Sequence, residues 1–353
     1  MSAAEPASGG PLLSVIVPAR NEEVTLGACL QSLVAQTGVT FEIIVVDDGS
    51  TDRTREIAQS YGGIQVIEPV PLPDGWSGKN NAMMSGAKHA QGKWLLFTDA
   101  DTVHLPGSLA RSVEEAQKQS ASLLSYSPEQ EVQGFWERAV MPVIFADLAA
   151  RYSPSQVSDP NSPAAAANGQ YLLVSREAYD AVGGHASVAK TLLEDVAFAR
   201  AVKTSGRKIF FRYGGDAVRT RMYRSFAQLK EGWTKNLALL FPSPLRLAVL
   251  RLVEFLLIAV SFVAAVFEEF RNRPLLAFAL FVLSLALSII FLKRIQKAHF
   301  PAQANRVALF GLPIFAYLLL RSSVSYKQGK VEWKGRTYAG ATANNPVRRV
   351  QAI

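Results

Sequence analysis

An α/β fold, with a mainly parallel sheet covered by helices on both faces and followed by apolar C-terminal helices, is predicted by three features of the 353-residue chain. Short β-branched runs alternate with helix-period stretches from Leu12 to about Tyr126, the pattern of a sheet buried on both sides. Acidic clusters fall where those runs end. The longest apolar stretches lie in the C-terminal third.

The elements follow in order. Residues Met1 to Pro11 are small and polar, with neither the basic start nor the apolar core of a signal peptide, so they are expected to lie outside the fold and the soluble part to stay in the cytoplasm. Ser14–Val17, Phe41–Val46, Ile64–Ile67 and Trp94–Phe97 read as strands, and Val24–Val34 as a helix with Leu26, Leu30 and Leu33 on one face. Phe135–Arg151 is apolar but interrupted by Glu137, Arg138, Asp147, Arg151 and Pro142. It is too short and charged to span a bilayer, and a helix lying in the headgroup plane is preferred to a buried one. A linker rich in Ser, Pro and Ala, Ser153–Ala167, leads to a second mixed region from Asn168 to about Asn236. One α/β domain over residues 12–240 is expected.

Residues 245–320 are predicted to form a membrane region of two or three helices. Leu275–Leu292 is uncharged, starts after Pro274 and ends at Lys293-Arg294, which meets the length of a transmembrane helix. In Leu247–Phe267, Arg251 and Glu254 stand one turn apart and can pair. Val307–Leu320 is shorter and contains Gly311 and Pro313, which suits a tilted span, a re-entrant piece or an interfacial hairpin. A basic tail, residues 321–353, completes the chain.

Composition narrows the function. With 49% hydrophobic and 19% charged residues the chain is not disordered. A lone cysteine, Cys29, rules out an intramolecular disulfide and a cysteine-built zinc cage. Residues 1–240 carry 22 basic and 25 acidic side chains, residues 241–353 carry 15 and 4. The excess of positive charge therefore brackets the apolar stretches, as at the cytoplasmic edge of membrane spans, and no nucleic-acid stripe is formed.

Pro18-Ala-Arg-Asn-Glu-Glu23 closes the first strand and Asp47-Asp-Gly-Ser-Thr-Asp52 the second. Neighbouring parallel strand ends share a crevice where carboxylates can accept hydrogen bonds from a base and a ribose, although either cluster alone could be a capped turn. The fourth strand runs directly into Asp99-Ala-Asp101. Two carboxylates one residue apart can hold a hard divalent cation and leave positions open for phosphate oxygens. Such a cation offsets the charge that builds on a diphosphate leaving group. Thr191–Arg200 reads as a helix start with Glu194 and Asp195 in its first turn, serving either catalysis or the helix dipole. His104, with only 4 histidines in the chain and no ligand spacing, is expected to be a loop residue satisfied by its neighbours.

Taken in order, Ser14–Glu22, Val45–Asp52, Asp99-Ala-Asp101, Asn168–Tyr179 and Glu194-Asp195 resemble the family 2 glycosyltransferases of GT-A fold, over about residues 12–240. Gly75-Trp-Ser-Gly-Lys79 and Glu231-Gly-Trp-Thr-Lys235 resemble the membrane-bound branch that glycosylates lipids, which includes carotenoid- and hopanoid-associated enzymes and ceramide glucosyltransferases. The resemblance implies that Asp48 contacts the base and that Pro18, Ala19, Arg20, Glu22 and Asp47 line the nucleotide pocket. It gives Asp99 and Asp101 to ribose, diphosphate and Mg²⁺ or Mn²⁺, and Lys79 to the diphosphate. Asp195, assisted by Glu194, would take the acceptor proton in an inverting transfer. Asn168, Gly169, Trp233 and Lys235 would lie on the acceptor or diphosphate side, as would Trp333 and Arg336 of the segment Val331–Tyr338. The processive synthases carry Gln-x-x-Arg-Trp where this chain has Glu231–Lys235, so transfer of a single sugar is implied. The implied partners are a nucleotide sugar, UDP-linked, and a lipid acceptor in a membrane. A polyprenyl phosphate acceptor and a silent membrane scaffold are the alternatives.

Overall fold

The computed structural model describes residues 10–333 and 336–337. The expected unstructured start falls largely on residues 1–9, and most of the end of the basic tail on residues 338–353, both outside the described residues. The strands in chain order are β1 (Leu13–Ala19), β2 (Phe41–Asp47), β3 (Ile64–Ile67), β4 (Trp94–Phe97), β5 (Thr102–His104), β6 (Leu123–Ser127), β7 (Glu129–Gln130), β8 (Leu172–Ser175), β9 (Ile209–Tyr213), β10 (Val218–Thr220), β11 (Glu332–Trp333) and β12 (Arg336–Thr337). The helices are α1 (Leu26–Val34), α2 (Thr54–Gln59), α3 (Gly78–His89), α4 (Ser108–Lys118), α5 (Phe135–Arg151), α6 (Pro154–Ser158), α7 (Arg176–Ala181), α8 (Glu194–Thr204), α9 (Phe226–Leu240), α10 (Pro244–Phe270), α11 (Pro274–Ile295), α12 (Ala302–Asn305) and α13 (Gly311–Lys327). They divide into two compact units. The first holds the chain up to Glu129 with Pro154–Thr220, and the second holds Gln130–Ser153 with the chain from Arg221.

The first unit is built on a seven-stranded sheet of order β3-β2-β1-β4-β8-β6-β9. Strand β1 pairs in parallel with β2 and β4, β2 with β3, and β6 with β9. Leu13 to Val17 are completely covered, which is why β1 is a nearly unbroken apolar run rather than an alternating one. Strand β8 is the exception, antiparallel to both β4 and β6. Its reversal brings the amino end of β8 to the edge where β1, β2 and β4 present their carboxyl ends.

The second unit is helical, with a core that includes Val140, Ile144, Trp233, Leu237, Phe315 and Leu319. Among the described residues three helices are long and apolar enough to cross a membrane: Pro244–Phe270, Pro274–Ala298 and Ala308–Lys327, of mean hydropathy 2.4, 2.9 and 1.5. The first two expose many Leu, Val and Phe side chains, and half of the apolar window of the third is covered.

The domain boundary differs from the one expected at residue 240, because α5 and α9 pack into the core of the second unit. Helix α5 is also not the headgroup-plane helix preferred from sequence. Every residue from Ala139 to Ile144 is covered, whereas a helix lying on a bilayer would keep one face free of protein. The two acids that interrupt α5 are paired: Glu137 with Arg221 at 2.9 Å, and Asp147 with Arg251 at 2.6 Å. Arg251 also holds Glu254 at 2.8 Å, and Glu254 holds Arg294 at 3.0 Å.

Gly311 opens α13 directly against α5, where an added Cβ would stand 1.8 Å from the carbonyl oxygen of Ala139. The two helices must part to admit a methyl group. Gly311→Ala should therefore destabilise the second unit by about 1–3 kcal/mol, seen as a lower inactivation temperature of the detergent-solubilised protein. An unchanged temperature would contradict the close approach.

Candidate active site

Three strand ends converge in the first unit. The Asp48 amide donates to the Ala19 carbonyl at 2.9 Å, and Arg20 Nη1 donates to the Asp48 carbonyl at 2.6 Å, so the loops after β1 and β2 are joined. Pro18 and Ala19 are the last two residues of β1, facing Val46 and Asp47 in register. Glu22 accepts from the Thr25 hydroxyl at 2.9 Å. Asp47, expected to line the nucleotide pocket, is the last residue of β2. It is buried, and its Oδ1 accepts the Ser50 amide at 3.1 Å, so it shapes the turn that carries Asp48. Side chains alternate along a strand end, and Asp48 is the one left partly exposed.

Asp99 and Asp101 follow β4, both partly exposed. Opposite them, Thr98 Oγ1 donates to the Gln170 carbonyl at 2.8 Å, and Phe97 pairs with Leu172. The antiparallel β8 thus delivers Asn168 and Gly169 beside the aspartates. Asn168 Oδ1 accepts the Gln170 amide at 3.0 Å, closing a local turn. Within that turn the Gly169 amide donates to Asp195 Oδ2 at 2.9 Å, while Asp195 Oδ1 accepts the Val196 amide at 2.8 Å.

Lys79, in the first turn of α3, ties the cluster together. Its Nζ lies 2.8 Å from Asp99 Oδ1 and 2.9 Å from Glu194 Oε1. Desolvation opposes its charge, but Asp99 and Glu194 outweigh it and hold the ammonium well above the usual lysine range. Asp195 moves the other way from an ordinary carboxylate. Desolvation and the neighbouring Glu194 push it up to about 6, against the pull of Lys79. Gly169 leaves the space these groups occupy, since a Cβ there would lie 3.1 Å from Lys79 Nζ and 3.5 Å from Glu194 Oε1.

His104 ends strand β5 instead of lying in a loop, and its Nδ1 meets no hydrogen-bond partner among the described residues, so the fully satisfied loop histidine expected is not what the structure holds. It is buried, 3.1 Å from the Thr98 hydroxyl, and burial lowers its pKa to about 3, which leaves it neutral. Trp233 is a correction. It is 2% exposed, between the rings of Phe145 and Tyr223 in the second unit, so it offers no face for a sugar or a headgroup to stack on. Expected on the acceptor or diphosphate side, it lies in the core of the second unit, which its area stabilises. Lys235 Nζ sits 5.0 Å from the centre of the Trp333 ring, and β11 and β12 pair Trp333 with Arg336. These three belong to the second unit. The residue that sequence reasoning missed is Asn80, completely buried beside Lys79, with its amide among the carbonyls of Val188, Ala189 and Thr191.

A GT-A sheet whose strand ends gather paired acids, a bridging lysine and a helix-borne carboxylate defines a glycosyltransferase. Residues 14–183 match glycosyl transferase family 2, and the chain belongs to that family. Among its relatives, the 4,4'-diaponeurosporenoate glycosyltransferase of Staphylococcus aureus strain MRSA252 is 30% identical over 342 residues, covering 93% of this chain and 88% of the relative. The enzyme of the same name from strain USA300 is 28% identical over 341 residues, with the same coverage. Among solved structures, a mannosyltransferase from Pyrobaculum calidifontis in complex with GDP-Man and Mn²⁺ has the same fold, with a TM-score of 0.53 at 16% identity, covering 90% of this chain and 87% of that one.

Proposed function

We propose that the enzyme moves one sugar from a nucleoside diphosphate sugar, UDP-linked, to the hydroxyl of a membrane lipid, with inversion at the anomeric carbon. The observation that carries this reading is the cluster in which Lys79 joins Asp99 to Glu194 while the Gly169 amide holds Asp195. Asp48 and the Pro18–Glu22 loop would take the nucleoside, and Lys79 the diphosphate. Asp195, its proton affinity raised, would receive the acceptor proton as the oxygen attacks, with Glu194 keeping Lys79 in place. The apolar faces of α10 and α11 support a lipid acceptor that need not leave the bilayer.

Mg²⁺ or Mn²⁺ fits this site. A cation would be held by Asp99 and Asp101, which follow β4 and are both partly exposed, and would complete its shell from diphosphate and water, as Mg²⁺ commonly does. When bound it would neutralise charge on the leaving diphosphate. The mannosyltransferase neighbour binds GDP-Man with Mn²⁺, which supports the same donor class here.

A second reading rests on the relatives' name. A diaponeurosporenoate is a carboxylate, and such an acceptor, like a polyprenyl phosphate, is ionised before it attacks and needs no base. Incubating the purified enzyme with labelled UDP-sugars and fractionated membrane lipids, followed by mass spectrometry, tests the overall function. A lipid gaining one hexose mass is expected. Polymer products, or nucleotide release with no lipid product in any fraction, would overturn it.

The same reading sets the topology. Residues 1–240, Lys293, Arg294, Lys297 and the tail from Arg321 should all face the cytoplasm, with α10 and α11 as the crossing hairpin and 307–320 re-entrant or interfacial. Because the lone native Cys29 is buried, a cysteine introduced as Ser325→Cys reports alone. It should resist an impermeant thiol reagent in intact cells and react after permeabilisation. Labelling from outside would contradict the arrangement.

A further inference from the structure

Helix α8 starts without a cap of its own. Leu193 precedes it and offers no side-chain oxygen to the first amides, so the position of Glu194 and Asp195 must be fixed by other contacts. Besides the Gly169 amide on Asp195, contacts from α3 fix it. Asn80 Nδ2 lies 3.0 Å from the carbonyls of both Val188 and Ala189 and 3.2 Å from that of Thr191. The Ser77 amide adds a bond to the Ala189 carbonyl at 3.1 Å. Asn80 Oδ1 meets no hydrogen-bond partner among the described residues. The amide nitrogen alone therefore does the holding, against a fan of three acceptors that only a donor can face.

We propose that Asn80 is a positioning residue for the transfer: through the 188–193 loop it sets where Glu194 and Asp195 stand relative to Lys79 and Asp99. The inference rests on the reading of Asp195 as the base. Adjacent side chains of one helical turn then serve both sides of the cluster, Lys79 pairing with Asp99 and Glu194 and Asn80 holding the loop that leads into Glu194 and Asp195. Asn81 provides a control, because it is equally buried but donates to the Val70 carbonyl at 2.7 Å, away from this loop.

The test compares Asn80→Ala, Asn80→Asp, Asn81→Ala and Asp195→Asn in the full-length protein reconstituted in vesicles. Three readouts are taken: donor affinity, single-turnover transfer, and hydrogen exchange over residues 188–195. Asn80→Ala should slow transfer by roughly 10–10²-fold, the cost of an ångström-scale misplacement, with donor affinity kept within about threefold. Asn80→Asp should be slower still despite its matching size, because a buried carboxylate would face three carbonyls. Exchange over 188–193 should rise in both variants and stay unchanged in Asn81→Ala. Transfer by Asn80→Asp equal to or better than Asn80→Ala would reduce Asn80 to a packing residue and overturn the proposal. So would unchanged exchange over 188–193, or parallel losses of transfer and donor affinity in the Asn80 and Asn81 variants. Normal transfer by Asp195→Asn would instead remove the base assignment, while the exchange readout still decides the role of Asn80.

Discussion

Replacing Asp195 with Asn should slow transfer to a hydroxyl by roughly 10²–10⁴ while donor binding persists. The substitution keeps the side chain's size and removes the charge that accepts the proton. A hydroxyl is far from ionised at neutral pH, so its proton must leave as the new bond forms. The pH profile offers a second readout. Desolvation and Glu194 raise Asp195 to about 6, and a base acts only when deprotonated. Single-turnover transfer should therefore fall as pH drops through about 6, approaching a tenfold loss per pH unit on the acidic side, and should be flat there in Asp195→Asn. Near-normal transfer by that variant would favour an acceptor that is already ionised, a carboxylate or phosphate. Lost donor binding would move Asp195 to the nucleotide side.

Removing either aspartate after β4 is the next largest effect. Asp99→Ala and Asp101→Ala should each cost roughly 10²–10³ in transfer, the magnitude of losing one electrostatic stabiliser of the leaving group, and wild-type activity should vanish in excess chelator and return with Mg²⁺ or Mn²⁺. The Asp99 variant carries a further expectation, because it also frees Lys79 from one of its two partners. Full activity with chelator in excess would end the case for a metal.

The donor half of this site is legible in the sequence because each element announces itself twice, as an apolar run and as the acidic cluster that stops it. Asp99 could be assigned to a strand end without coordinates for that reason. That Asp47 is buried while Asp48 stays partly exposed was not legible, since it follows only from the alternation of side chains at the end of β2. The reversed β8 was hidden, because a four-residue apolar strand carries no mark of direction. Asn80 was hidden more deeply: its partners are backbone carbonyls 108 or more residues away, and any residue type supplies a carbonyl. The membership of α5 and α9 in the helical unit escaped notice because an apolar helix with paired charges has the same composition in either setting.

The quartet of Asp147, Arg251, Glu254 and Arg294 bears on how the molecule is made. An unpaired ion in an apolar interior costs several kcal/mol, and to this quartet α10 and α11 contribute Arg251, Arg294 and Glu254, an excess of one positive charge. Asp147 supplies the balancing charge from 104 residues earlier in the chain. During synthesis, which runs from the N-terminus, helix α5 leaves the ribosome well before the hairpin. The neutral quartet can therefore close only when the last arginine, Arg294, has been translated and reaches Glu254 and Asp147.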